Sequence, residues 1–212
     1  SRPGHQPVSL EEELARVVPA VRAIAGELDV PVFVDTVKAP VAGAALEAGA
    51  VGVNDIWGLR GDPGMAGVVR ARGAAVICMH NQEGVAYRDL GRELALGLGE
   101  SLAVAAKAGI ARSQVVLDPG IGFGKTPEQS LSALSRLRLL TLLGAPLLVG
   151  TSRKSMVGWL LGNRPVEDRL WGTAATVAWA ATAGAHIVRV HDVAEIRDVV
   201  RVVDRLRAAE AG

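Results

Sequence analysis

A carboxylate, a glycine-rich turn and a lysine follow one another in Asp118-Pro119-Gly120-Ile121-Gly122-Phe123-Gly124-Lys125-Thr126, directly after the apolar run Val115-Val116-Leu117. A strand that ends in Asp and runs into glycines projects its carboxylate beyond the sheet and lets backbone approach a ligand closely. The same Asp118 could instead cap the next helix. The glycine spacing is not that of a P-loop, which excludes the ATPase class. Asp35-Thr36 and Asn54-Asp55 repeat the placement after two earlier apolar runs. Two carboxylates (Asp35, Asp118) and one carboxamide (Asn54) can accept the adjacent N–H donors of an amidine-like ring edge, and a guanidine-containing heterocycle fits that pattern. Asp35 and Asp55 could each be helix N-caps, and Asp55 is read as one.

Two cationic clusters follow. Gly150-Thr151-Ser152-Arg153-Lys154-Ser155 sets adjacent cations beside hydroxyls at a strand end. Lys154 could polarise a ring oxygen, form a Schiff base if desolvated, or simply be solvated, and Arg153 could meet a carboxylate. In Arg189-Val190-His191-Asp192 the period of two puts Arg189 and His191 on one side, two donors suited to a diphosphate. His191 alone could equally be a capping residue. His186 is read as structural and His80 as a strand-end residue without assigned role. Arg2-Pro3-Gly4 is a stiff basic loop that could reach the same phosphates.

The elements that must position these residues are strands over 31–35, 50–54, 74–79, 114–118, 146–150 and 185–190, alternating with Ala/Leu/Arg/Glu-rich stretches of helical period. That alternation is the signature of βαβ units and an α/β fold. Ser9 with Glu12 reads as a capping box opening a helix to about Leu28, Thr126-Pro127 opens another, 164–168 begins a long helix to about Ala183, and Asp192 starts the last one. An open doubly wound sheet would concentrate function at one switch point. Here chemistry-bearing residues follow nearly every strand, which favours a closed barrel with its loops at one mouth. No linker or charge run interrupts residues 1–212, so a single domain is expected.

Half the residues are apolar and the net charge is +1, with charges of both signs scattered along the chain. No basic stripe for nucleic acid and no polybasic membrane patch arise, and no apolar run approaches the ~20 residues of a membrane span. The lone Cys78 sits in a strand-like apolar run and suits a reducing cytoplasm.

Asp35-Thr36, Val53-Asn54-Asp55-Ile56, Met79-His80, the Asp118 to Lys125 run, Ser152-Arg153-Lys154-Ser155, Gly172-Thr173 and Arg189-Val190-His191-Asp192 resemble dihydropteroate synthases in order and spacing. Ser1-Arg2-Pro3-Gly4 resembles that family's mobile second loop. The resemblance implies a (β/α)8 TIM barrel of which this chain carries strands 3–8, the first two βα units being absent. It implies a transferase of folate biosynthesis, a sulfonamide target, that condenses 6-hydroxymethyl-7,8-dihydropterin diphosphate with p-aminobenzoate to give 7,8-dihydropteroate and pyrophosphate. Lys154, Asp118, Arg189 and His191 would be catalytic. Asp35, Asn54, Asp118 and Lys154 would hold the pterin, and Arg2, Arg189 and His191 the diphosphate. Phe123, Ser152, Lys154, Ser1 and Pro3 would form the p-aminobenzoate site. Mg²⁺ would accompany the diphosphate with no metal ligand in this chain, because the family's Asn lies in the absent N-terminal segment. A cytoplasmic homodimer formed through late helices such as 170–179 is also implied. The loop 81–85 departs from the family's pattern after Met79-His80. A non-catalytic pterin-binding paralogue and a methyltetrahydrofolate–corrinoid methyltransferase-like domain are the alternatives, and neither needs the Ser-Arg-Lys and Arg-Val-His segments together.

Overall fold

The computed structural model describes residues 8–210, arranged as two units: residues up to Asn81 with Gly97–Leu117, and Gln82–Leu96 with Asp118 onward. Strands β1 (Phe33–Asp35), β2 (Gly52–Asp55), β3 (Ala75–Met79) and β4 (Val115–Asp118) form a sheet in that order. The first three are parallel, with Val34, Val53 and Val76 in one row and Asp35 beside Asn54. Every residue of β2 is buried, as expected of an inner strand in a parallel sheet covered on both faces. At Gly52 a Cβ would stand 2.3 Å from the Phe33 ring, so the aromatic ring on β1 takes the space a side chain on β2 would need.

Helix α1 (Leu10–Glu27) begins where Ser9 accepts the Glu12 N–H at 3.2 Å, and three glutamates in its first turn complement the helix dipole. Glu13 anchors this helix to the turn after β1. Its carboxylate accepts the Thr36 hydroxyl at 2.5 Å and pairs with the Lys38 ammonium at 2.6 Å. Helices α2 (Ala39–Glu47) and α3 (Met65–Arg72) follow β1 and β2, α1 packing on α2 and α2 on α3. Helix α4 (Leu90–Lys107) follows β3, and its Gly97 leaves room for the His80 ring, which a Cβ would meet at 2.8 Å. His80, left without a role by the sequence, is buried at this contact.

In the second unit, α5 (Pro127–Ser135) starts at a full capping box between Thr126 and Gln129, with Pro127 at its first position. Helix α6 (Leu137–Thr141) leads into β5 (Leu148–Val149), which pairs in parallel with β6 (Ile187–Val188). Leu147 N donates to His186 Nδ1 at 3.2 Å and His186 N donates to the Leu147 carbonyl at 2.9 Å, so His186 is structural as expected. Helices α7 (Ser155–Leu160), α8 (Leu170–Thr182) and α9 (Val193–Glu210) complete the unit around Leu137, Leu140, Leu147, Met156, Val177 and Ile196, all essentially inaccessible to solvent.

Several boundaries differ from the sequence expectation: β1 starts at Phe33, β2 covers Gly52–Asp55, and β5 and β6 keep only the centres of the runs 146–150 and 185–190. Residues Val166–Asp168 form a single 3-10 turn, and the long helix starts only at Leu170 because Arg169, its N-cap, has a non-helical backbone. Among the described residues no helix is long and apolar enough to cross a membrane.

Candidate active site

In the first unit, register places Asp35 and Asn54 side by side on adjacent strands, and Asn54 Nδ2 donates to Asp35 Oδ2 at 3.0 Å. The amide is thereby oriented and one carboxylate oxygen partly satisfied. Asp55, next along β2, points to the opposite face as the strand period requires. Its oxygens accept the N–H groups of Trp57 (2.9 Å) and Leu59 (2.7 Å), so it caps a turn rather than a helix. Burial raises its pKa above the usual carboxylate range, with the two N–H groups opposing.

The second unit holds the chemically richer cluster. Asp118, last residue of β4, is buried and accepts the Gly120 N–H at 2.7 Å, which folds the glycine turn back over the strand end. Burial pushes its pKa up, opposed first by the charge of Lys154, then by that N–H and by Lys125 and Arg189. Lys154 experiences the converse: burial pushes its ammonium down, Asp118 pulls it back and Arg189 pushes it further down. The Lys154 ammonium donates to the Ile121 carbonyl and lies 5.0 Å from the centre of the Phe123 ring, within cation–π range. Lys125 is buried below the same loop, donating to the Gly120 (3.1 Å) and Phe123 (3.0 Å) carbonyls, with the Tyr87 ring 5.9 Å away. Burial pushes Lys125 down to about 8. Two ammoniums therefore hold three carbonyls of one short loop and leave Asp118 in a strongly positive surrounding.

At the ends of β5 and β6, Ser152 Oγ lies 2.9 Å from His191 Nδ1 and accepts the His191 backbone N–H at 3.2 Å. The exposed His191 ring thus has one nitrogen engaged and directs Nε2 away from that contact. Arg153 forks onto Asp192, Nε to Oδ2 at 3.2 Å and Nη2 to Oδ1 at 2.5 Å, so the carboxylate it meets is the chain's own. That guanidinium in turn holds Asp192 below its usual range. Arg189 leaves the end of β6, its N–H bonded to the Val149 carbonyl at 3.0 Å and its side chain exposed.

Residues 1–191 match the family model described as pterin binding enzyme. The dihydropteroate synthase of Clostridium beijerinckii is 45% identical over 205 residues, 96% of this chain and 76% of that protein. The chain belongs to the dihydropteroate synthase family. The Bacillus subtilis dihydropteroate synthase is 42% identical, over 97% of this chain and 72% of the relative. Among solved structures, a Clostridium difficile dihydropteroate synthase crystallised with pteroic acid superposes with a TM-score of 0.94 at 44% identity, over 97% of this chain and 78% of the other. The Xanthomonas albilineans dihydropteroate synthase with 4-aminobenzoic acid gives 0.94 at 38% identity, over 98% and 76%. These are parallel α/β proteins like the one described here.

Of the residues that the dihydropteroate synthase resemblance singled out, Asp118, Phe123, Ser152, Lys154, Arg189 and His191 lie on neighbouring loops of the second unit, and Asp35 bonds Asn54 in the first. Ser1, Arg2 and Pro3 lie outside the described residues. Ser152 is buried, with its hydroxyl 2.9 Å from His191 Nδ1. Two residues escaped the sequence reading. Lys125 was visible as the end of the glycine motif but had no assigned partner. Arg169 is the other, and its one sequence signal was a cation at a helix N-terminus, a position the helix dipole disfavours unless the charge serves elsewhere.

Proposed function

We infer that the Asp118–Lys154 cluster of the second unit binds the pterin in the dihydropteroate synthase reaction, the transferase activity of this chain. The observation that carries the assignment is a buried carboxylate held open by its own loop beside an ammonium 5.0 Å from Phe123. The carboxylate suits the 2-amino and ring N–H edge, and Lys154 the polar edge opposite. Asp35 and Asn54 are proposed as further pterin contacts. The exposed Arg189 guanidinium and His191 Nε2 take the diphosphate, with Arg2 as a further contact. Phe123 and Lys154 offer a face and a charge to p-aminobenzoate, and Ser1 and Pro3 complete that site. Ser152, which also holds His191 through two bonds, is proposed to lie near the p-aminobenzoate carboxylate. The relatives crystallised with pteroic acid and with 4-aminobenzoic acid support both substrate assignments.

The chemistry follows from charge placement. The C–O bond to the diphosphate breaks first, and Arg189 and His191 stabilise the departing anion while the pterin methylene carries the positive charge. The aniline nitrogen, held by its stack against Phe123, then forms the C–N bond and releases its proton to solvent or pyrophosphate. Orientation and charge stabilisation do the catalytic work, and Lys154 forms no covalent bond. Among the described residues no three His, Cys, Asp or Glu side chains converge on a metal position. We propose Mg²⁺ as the counter-ion of the diphosphate. The parallel βα units support the (β/α)8 barrel as the fold, in one domain, and the single buried Cys78 supports a cytoplasmic location.

The test is pyrophosphate release from pterin diphosphate plus p-aminobenzoate with Mg²⁺, using the full-length protein. Release that requires both substrates is the expected result, and pterin binding without release would instead identify a non-catalytic paralogue. A homodimer is also proposed. It is supported by apolar side chains displayed on or beside the late helices of the second unit, Trp171 at 78% exposure and Leu142 at 83%. A monomer mass by sedimentation at micromolar concentration would remove that reading.

A further inference from the structure

Arg153 adopts a left-handed backbone, φ +59°, without being glycine. Such a conformation is strained for a residue with a side chain and persists only where its surroundings fix it. Here it is fixed from three directions. Its N–H donates to the buried Thr173 hydroxyl at 3.2 Å, its side chain forks onto Asp192, and its carbonyl accepts Arg169 Nη1 at 2.9 Å. The same nitrogen of Arg169 reaches the Lys154 carbonyl at 3.3 Å, and Arg169 Nε donates to the Arg164 carbonyl at 2.9 Å. This guanidinium lies flat on α7 where residue 158 is glycine, since a Cβ there would be 2.5 Å from its carbon. One side chain from the start of α8 therefore grips both carbonyls of the Arg153-Lys154 pair.

The consequence falls on Lys154. It is the N-cap of α7, and the left-handed turn at its predecessor sets the direction in which its side chain leaves the backbone toward the Ile121 carbonyl and the Phe123 ring. We propose that Arg169 is a positioning residue of the reaction: by holding Arg153 left-handed it delivers the Lys154 ammonium to the pterin side of the Asp118 loop. Arg169 touches no substrate itself. The proposal explains why a cation occupies the unfavourable N-terminus of α8, and it rests on the pterin-binding role given to Lys154 above.

The experiment compares Arg169→Met, Arg153→Gly and the double variant in the full-length protein, by pterin affinity, kcat and KM, and by crystal structures. Arg169→Met is expected to raise the pterin KM and lower kcat/KM by about tenfold or more, with Lys154 displaced from the Ile121 carbonyl. Glycine takes the left-handed conformation without strain, so adding Arg153→Gly should recover a substantial part of the loss. A merely structural defect in docking α8 would not be rescued at residue 153. Unchanged kinetics in Arg169→Met, or a loss that Arg153→Gly leaves untouched, overturns the proposal. If Arg169→Met does not fold, Arg169→Lys keeps the charge but cannot span the carbonyls, and the same readouts apply. Should the unaltered protein neither turn over nor bind pterin, the functional reading fails. The positioning claim is then decided by whether Lys154 and the φ of Arg153 move in the variant structure.

Discussion

Replacing Lys154 with alanine will weaken pterin binding by roughly 1–3 kcal/mol, the usual cost of removing a charged hydrogen-bond partner from a buried site, and so by about 5- to 150-fold. The variant will also acquire a pH dependence whose sign follows from the site. Burial already raises the pKa of Asp118, and the charge of Lys154 is the largest influence opposing it. Without that charge Asp118 stays protonated to higher pH, and a protonated carboxyl cannot accept both N–H donors of the pterin edge. Affinity in Lys154→Ala should therefore rise with pH across the range where Asp118 ionises, and isothermal calorimetry at several pH values measures it. Wild-type affinity in this variant would disprove the pocket assignment.

Asp118→Asn probes the same contact from the other side. The asparagine Oδ1 can still accept the Gly120 N–H, so the glycine turn has reason to keep its shape. The amide nitrogen then faces the ring N–H donors with donors of its own. The loss in affinity should again be roughly 1–3 kcal/mol, arising from mispaired donors rather than from an altered fold. Asp118→Ala, which also frees the Gly120 N–H, separates the two effects: only this variant should show a lower Tm together with weaker binding. If Asp118→Asn binds pterin as the unaltered protein does, the carboxylate is a loop cap and nothing more.

The strands were legible because each apolar run ends in a polar or glycine residue, and a parallel strand must stop where its side chains leave the core. Asp35, Asn54, Asp118, Lys154 and His191 were legible for the same reason, as polar residues stranded at those ends. What the sequence hid depends on contacts between distant segments. Ser152 and His191 are 39 residues apart, and only the pairing of β5 with β6 brings the hydroxyl to the imidazole. Arg153 and Asp192 meet for the same reason. The displaced start of α8 reflects Arg169, whose duty to the backbone of another loop outweighs the helical preference that Val166 to Asp168 would otherwise follow.

Helix α7 carries one more residue of interest. Of the four tryptophans in the chain, Trp159 alone belongs to the short helix capped by Lys154 and sits beside the glycine on which Arg169 rests. Its indole is partly open to water, so its emission wavelength depends on how that helix is seated. With Trp57, Trp171 and Trp179 replaced by phenylalanine, the remaining fluorophore would let the seating of the Lys154 loop be followed optically in stopped flow, with no extrinsic dye.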